Sequence, residues 1–177
     1  MRATDVGDIN SNDVGSGARF NAGKPDIGLL PLSILAGVYQ EAGAGHKAIN
    51  ALYSLGNFQA GGDRADLTQV LVDIQFRWED CARVFEYGKR KYAAWNWAKG
   101  MAWSVPIACA GRHLMAMFHG EYLDSESGEP HEGHVACNIF MLLLYLNTYP
   151  QGDDRPTAWL GQPEVWPELI GGNGDPI

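Results

Sequence analysis

His131, His134 and Asn138 stand at i, i+3 and i+7, and the same stripe continues as Met141, Leu142 and Tyr145. That spacing puts all six on one face of an α-helix. A polar stripe that runs into an apolar one is expected to be buried along its whole length. Buried polar groups need partners. A metal ion or a phosphate-bearing ligand would supply them.

The rest of the chain supports a helical body. Leu67, Val70, Leu71, Ile74, Trp78, Cys81 and Phe85 keep a three-four spacing, which predicts one helix over 66–92. Gly88 is expected to mark a kink or a close approach there. Pro31 can open a short helix over 32–41. Ser104 is expected to cap a helix with Pro106 in its first turn, running to Phe118 and stopping near Gly120. The final helix is expected over 131–146, and a further one over 48–55 between crowded glycines. No strand alternation and no repeat stands out. The fold class is therefore all-α: a helical bundle with a site-bearing loop between its last two long helices. Residues 1–18 read as a flexible lead-in and 19–150 as one domain. Residues 151–177 read as an irregular tail packing through Trp159 and Trp166.

Composition narrows the function classes. The net charge of -8 argues against DNA or RNA as partner, because neutralising phosphates needs a basic face. No apolar run reaches the roughly 18 residues a membrane span needs, and the N-terminus lacks the apolar core of a signal peptide. The cytoplasm is the expected compartment. Cys81, Cys109 and Cys137 form no C-x-x-C pair and read as small buried hydrophobes.

Two constellations carry chemistry. Four of the five histidines fall between His113 and His134. His113 lies on one helix, Glu121 and Asp124 in the following loop, and His131, His134 and Asn138 on the returning helix, so a hairpin would gather them. Each histidine alone reads as a core or helix-end hydrogen bonder, and His119 as an exposed helix end. The cluster together reads as a site for Mg, Mn, Fe or Zn. The second constellation is FEYGKRKYAAWNWAKG, where Lys89, Arg90, Lys91 and Lys99 interleave with Tyr87, Tyr92, Trp95 and Trp97. Cations with aromatics suit phosphates and a stacked base. A basic helix end with core-filling aromatics is the plainer alternative. FNAGKP fails as a P-loop, since Ala18 stands at its first glycine position and Pro25 at its Ser/Thr position. Lys24 could still reach a phosphate.

Taken in order, RFNAGKP, Leu30-Pro31, FEYGKRKYAAWNWAKGM, RHL, GEYLDSESG and HEGHVACNIF resemble the phage-type dATP/dGTP diphosphohydrolase family. The likeness covers residues 18–146, with 43–66 reading as an insertion. It implies hydrolysis of purine deoxynucleoside triphosphates to monophosphate and pyrophosphate, with Mg or Mn as cofactor. It also implies a role in remodelling the phage host's nucleotide pool, and a homo-oligomer. On this reading Glu121, Asp124, His113, His131 and His134 hold metal, and Glu121, Asp124, His134 and Arg112 serve catalysis. Lys24, Lys91, Tyr92, Asn96, Trp97 and Asn138 bind the nucleoside triphosphate. Related MazG-like enzymes face an E-x-x-E pair against E-x-x-D. Glu121 and Asp124 have the second spacing, but only Glu79, Asp80 and Glu86 are near the first. A protein that binds a nucleotide or signalling nucleotide without turnover, as a phage counter-defence, is the alternative.

Overall fold

The computed structural model describes residues 6–161. Among these, seven α-helices form the body: α1 (Leu32–Glu41), α2 (Lys47–Gln59), α3 (Arg64–Ile74), α4 (Trp78–Lys91), α5 (Ser104–Phe118), α6 (His131–Thr148) and the short α7 (Thr157–Leu160). Among the described residues, extended pairing is confined to two isolated bridges, Val6 with Arg19 and Leu123 with Pro130. The all-α expectation holds. No described helix is long and apolar enough to cross a membrane.

The core is built around α2 and α6. Helix α2 packs on α1, α3 and α5, while α6 packs on α5, α4 and α3. Leu52, Leu55 and Phe58 of α2 and Val135, Ile139, Leu142 and Tyr145 of α6 have no or almost no exposed surface. Segment 43–66, expected as an insertion, therefore holds the central helix of one half of the core. Gly56 explains how α1 and α2 come so close: a Cβ there would sit 2.1 Å from the Ser33 amide nitrogen. Gln59 completes the contact. Its amide donates to the carbonyls of Gly28 and Leu30 and accepts from Leu32 N–H, which satisfies the entry to α1.

Several expectations need correction. The single helix over 66–92 is two. Asp63 opens α3 with a capping box through Asp66, and Gln75 closes it in the left-handed region at φ 55°. The apolar pattern runs straight through this break, but α4 is rephased: Trp78, counted as core, is 70% exposed. Gly88 makes no close approach, since nothing lies within 4 Å of the place a Cβ would take. Ser104 does not cap α5 but begins it, and Asp154 does the capping by accepting from Ser104 N (2.8 Å) and Oγ (2.6 Å).

Both ends of the described segment are tied to the body. Gly17 donates to Gly100 O, and Lys99 reaches the carbonyls of Ile9 and Ser11, so the irregular segment 6–18 lies along the body. In the tail, Trp159 is 84% exposed and does not anchor the chain as expected, while Trp166 lies outside the described residues. Arg155 is the anchor. Its guanidinium sits 4.2 Å from the Phe58 ring centroid and donates to the carbonyls of Phe58 and Gly62.

Candidate active site

The loop joining α5 to α6 folds back on itself. Asp124 N–H donates to Glu129 O, Gly128 N–H to Asp124 O, and His131 N–H to Tyr122 O. Gly128 takes φ 75°, which lets the turn close without strain. The result sets Asp124 against the first two turns of α6. Its Oδ2 accepts from Ser127 N and Oγ, both at 2.9 Å. The Ser127 hydroxyl is 2.7 Å from His134 Nε2. If the hydroxyl proton goes to Asp124, His134 must donate from Nε2. Burial works against the Asp124 carboxylate, but the Ser127 bonds and His134 hold its pKa below the ordinary value.

The three imidazoles pack together. His113 and His134 stack with centroids 4.4 Å apart, and His113 Nδ1 lies 2.8 Å from His131 Nδ1. One of those two nitrogens carries the shared proton and the other accepts it. His131 is only 4% exposed, and its Nε2 has no hydrogen-bond partner. Ligand atoms of His113, Asp124 and His131 lie within 4.8 Å of one another. Two imidazoles, one of them with an orphaned buried nitrogen, and a carboxylate fit a divalent metal. The neutral form of His131 is favoured. Burial, then repulsion from His113, lowers the His131 pKa, and the same causes bring His134 to about 3.

This sets a pH dependence. His134 titrates near its ordinary 6.5 when unfolded and near 3 when folded. Between these values the unfolded chain binds the extra proton, so stability is full above the higher value and falls as pH drops through the window. The melting temperature should therefore drop between about pH 7 and about pH 5. His134→Gln, which can keep the Ser127 bond without titrating, should show a smaller drop. Equal drops in the two proteins would refute the assignment.

Beside the imidazoles opens a cleft of about 870 Å³, counting its open mouth, between α4, α5, α6 and the segment 18–24. Of the expected site residues, Lys24, Lys91, Tyr92, Asn96, Trp97, Asn138, His113, Asp124 and His134 line it. Phe85 and Trp97 stack at 4.9 Å on one wall, with Trp95 beyond, 71% exposed. Lys91 Nζ lies within 6 Å of the Phe20, Tyr87 and Tyr92 rings. The Asn138 amide donates to His134 O, while its buried Oδ1 has no partner.

Other expected residues are placed differently. Arg112 does not line the cleft. Its guanidinium donates to Pro25 O and Asn21 Oδ1, bracing the segment that carries Lys24. Glu121 does not line the cleft either; it is 65% exposed and 3.8 Å from His131 Nε2. Asn96 lines the cleft but both ends of its amide are spent on Ala18, donating to its carbonyl at 2.9 Å and accepting from its N–H at 3.2 Å. The upstream acids form no second metal face. Asp80 is buried and paired with Arg83, Glu86 is paired with Arg90 on the surface, and Glu79 lies 4.0 Å from Arg77. Of the basic block, Lys91 alone points into the cleft, since Lys99 is held by carbonyls and Lys89 and Arg90 are exposed.

Two cleft residues escaped the sequence reading. Glu126 receives both Lys24 (3.2 Å) and Lys91, and the Lys91 bond first, then Lys24, holds its carboxyl at about 2. Arg19 lies half-buried on the cleft floor with its Nη2 2.8 Å from Cys109 Sγ. Both belong to motifs already singled out, GEYLDSESG and RFNAGKP, and that was their only signal. The cysteines are free and buried as expected.

Comparison with known proteins bears on this cleft. The family described as dATP/dGTP diphosphohydrolase, N-terminal, matches residues 67–155. The matched span contains α4, α5, the loop and α6. A Salmonella phage PMBT28 protein named dATP/dGTP diphosphohydrolase is 32% identical over 85 residues, which is 48% of this chain and 29% of that protein. The match thus spans less than a third of that relative's length. No solved structure matches.

Proposed function

Since the chain belongs to the dATP/dGTP diphosphohydrolase family, we propose that its cleft hydrolyses dATP or dGTP to the monophosphate and pyrophosphate with a divalent metal. The observation that carries the reading is the meeting of two sets on one cleft. His113 and Asp124 line the cleft and, with His131 next to them, offer ligand atoms within 4.8 Å of one another, a donor set for a metal. Lys24, Lys91 and the Phe85–Trp97 stack form a wall suited to a nucleotide.

Mg or Mn held by His113, Asp124 and His131 would neutralise phosphate charge and make a water more acidic. The protein's own groups do the rest. Ser127 and His134 fix the Asp124 carboxylate, so its orientation is set before substrate arrives. Lys91 stays charged. Burial opposes its charge, but the Glu126 bond and the nearby tyrosines outweigh it. Lys24 and Lys91 share Glu126, which a phosphate oxygen must displace to reach them. Trp97 and Phe85 offer a face for the purine. Asn138 Oδ1, buried and unpaired, offers an acceptor for a sugar hydroxyl or a base N–H.

The role fits remodelling of a host's deoxynucleotide pool by a phage. Self-association fits the exposed apolar side chains Val72, Trp78 and Phe140. The test is pyrophosphate release from each deoxynucleoside triphosphate with Mg or Mn. Release from dATP or dGTP, lost on chelation, is expected. Recovery of intact nucleotide bound to the protein, with no product, would replace the enzyme by the binding protein.

A further inference from the structure

Arg19 carries a positive charge into the cleft without a carboxylate to meet it. Arg83, Arg90 and Arg155, all nearer the surface or the tail, each pair with a carboxylate. Among the described residues no carboxylate lies within ion-pair distance of Arg19. Its guanidinium meets two sulfurs, Cys109 Sγ at 2.8 Å and Met141 Sδ at 3.5 Å. Sulfur is a weak acceptor, and two such contacts leave most of the five N–H donors of a guanidinium unspent. The fork thus keeps donors free for an anion entering the cleft.

The backbone around Arg19 is fixed on three sides. Arg19 N–H and C=O pair with Val6, Ala18 is clamped by Asn96, and Phe20 N–H donates to the Tyr92 hydroxyl. The guanidinium is thereby held in place before any ligand binds. It also sits close to the proposed metal donors. Cys109 lies one turn before His113 on α5. The mouth of the cleft has little free charge, because Lys24 and Lys91 share Glu126.

We infer that Arg19 is the phosphate receptor of the cleft floor, binding two oxygens of the triphosphate with its fork and stabilising charge on the phosphoryl group beside His113. Paired donors at fixed spacing match two oxygens of one phosphate, which a lysine cannot do. This rests on the proposed nucleotide reading for the identity of the ligand, but the anion site itself can be tested without turnover.

The experiment uses the full chain and inorganic tripolyphosphate, titrated calorimetrically in chelator, alongside pyrophosphate release from dATP and dGTP. Arg19→Met keeps the length and removes the charge. Arg19→Lys keeps the charge and removes the fork. Both are checked for helical circular dichroism and melting temperature. The expected result is tripolyphosphate binding by the native protein, at least about tenfold weaker in Arg19→Met and intermediate in Arg19→Lys. Turnover should fall by roughly 100-fold in Arg19→Met. Native-like tripolyphosphate affinity in folded Arg19→Met, or no binding by the native protein, overturns the inference. If Arg19→Met does not fold, folded Arg19→Lys with native affinity and turnover overturns it too. Arg19-dependent binding with no hydrolysis by the native protein would support the anion site while refuting the proposed activity.

Discussion

Replacing Asp124 by asparagine is expected to cut pyrophosphate release from dATP or dGTP by at least about 100-fold, since a lost metal contact removes several kcal/mol of transition-state stabilisation. The fold should survive. Asp124 Oδ2 accepts from Ser127 N and Oγ, and an asparagine carbonyl oxygen can take both bonds. What disappears is the charge and the second oxygen, the part able to share a cation with His113 and His131. The check is an initial-rate assay with Mg and with Mn, paired with a calorimetric titration of each metal. A variant with native rate and native metal affinity would refute the metal assignment. His134→Gln separates positioning from ligation. It leaves the three candidate donors in place and can keep the Ser127 bond but removes the imidazole stacked on His113, so its rate should fall less than that of Asp124→Asn.

The helical frame of this site was legible because its signals are local. The stripe from His131 to Tyr145 is buried as its spacing requires, and α5 ends at Phe118, just ahead of a positive-φ Gly120. Convergence of His113, Asp124, His131 and His134 followed from a hairpin alone. The α3–α4 break was not legible. The apolar series continues through it, and Gln75 carries no breaker signature although it adopts φ 55°. Nothing in residues 66–92 states that Trp78 faces solvent, because that depends on how α4 must turn to lay Cys81 and Val84 against the core.

The errors in the site have one cause, which is that long-range partners decide what a polar side chain is free to do. Arg112 and Arg19 are both arginines beside apolar residues in conspicuous motifs. Segment 18–25 meets the first and carries the second. Arg112 is consumed in holding Pro25 and Asn21, while Arg19 is carried into the cleft by that same segment. Glu126 was passed over because one acid in a serine-glycine loop looks solvent-facing. Only the tertiary fold brings Lys24 and Lys91 to it from opposite sides.

Asn96→Ala should test that dependence most sharply. The side chain is 3% exposed and makes a two-bond clamp on the Ala18 backbone. Removing it leaves a buried N–H and a buried C=O without partners, at about 1–3 kcal/mol each, so a total loss of about 2–6 kcal/mol is expected. A direct substrate contact predicts something else: a raised KM with little change in stability. The clamp predicts a lower melting temperature in the absence of nucleotide. It also predicts that proteolysis begins in the segment carrying Arg19 and Lys24, because that segment loses its tie to the body. A urea denaturation curve decides between them. An unchanged midpoint with a raised KM would return Asn96 to the substrate. A shifted midpoint makes it the residue through which the aromatic wall holds the segment carrying Arg19 and Lys24 in place.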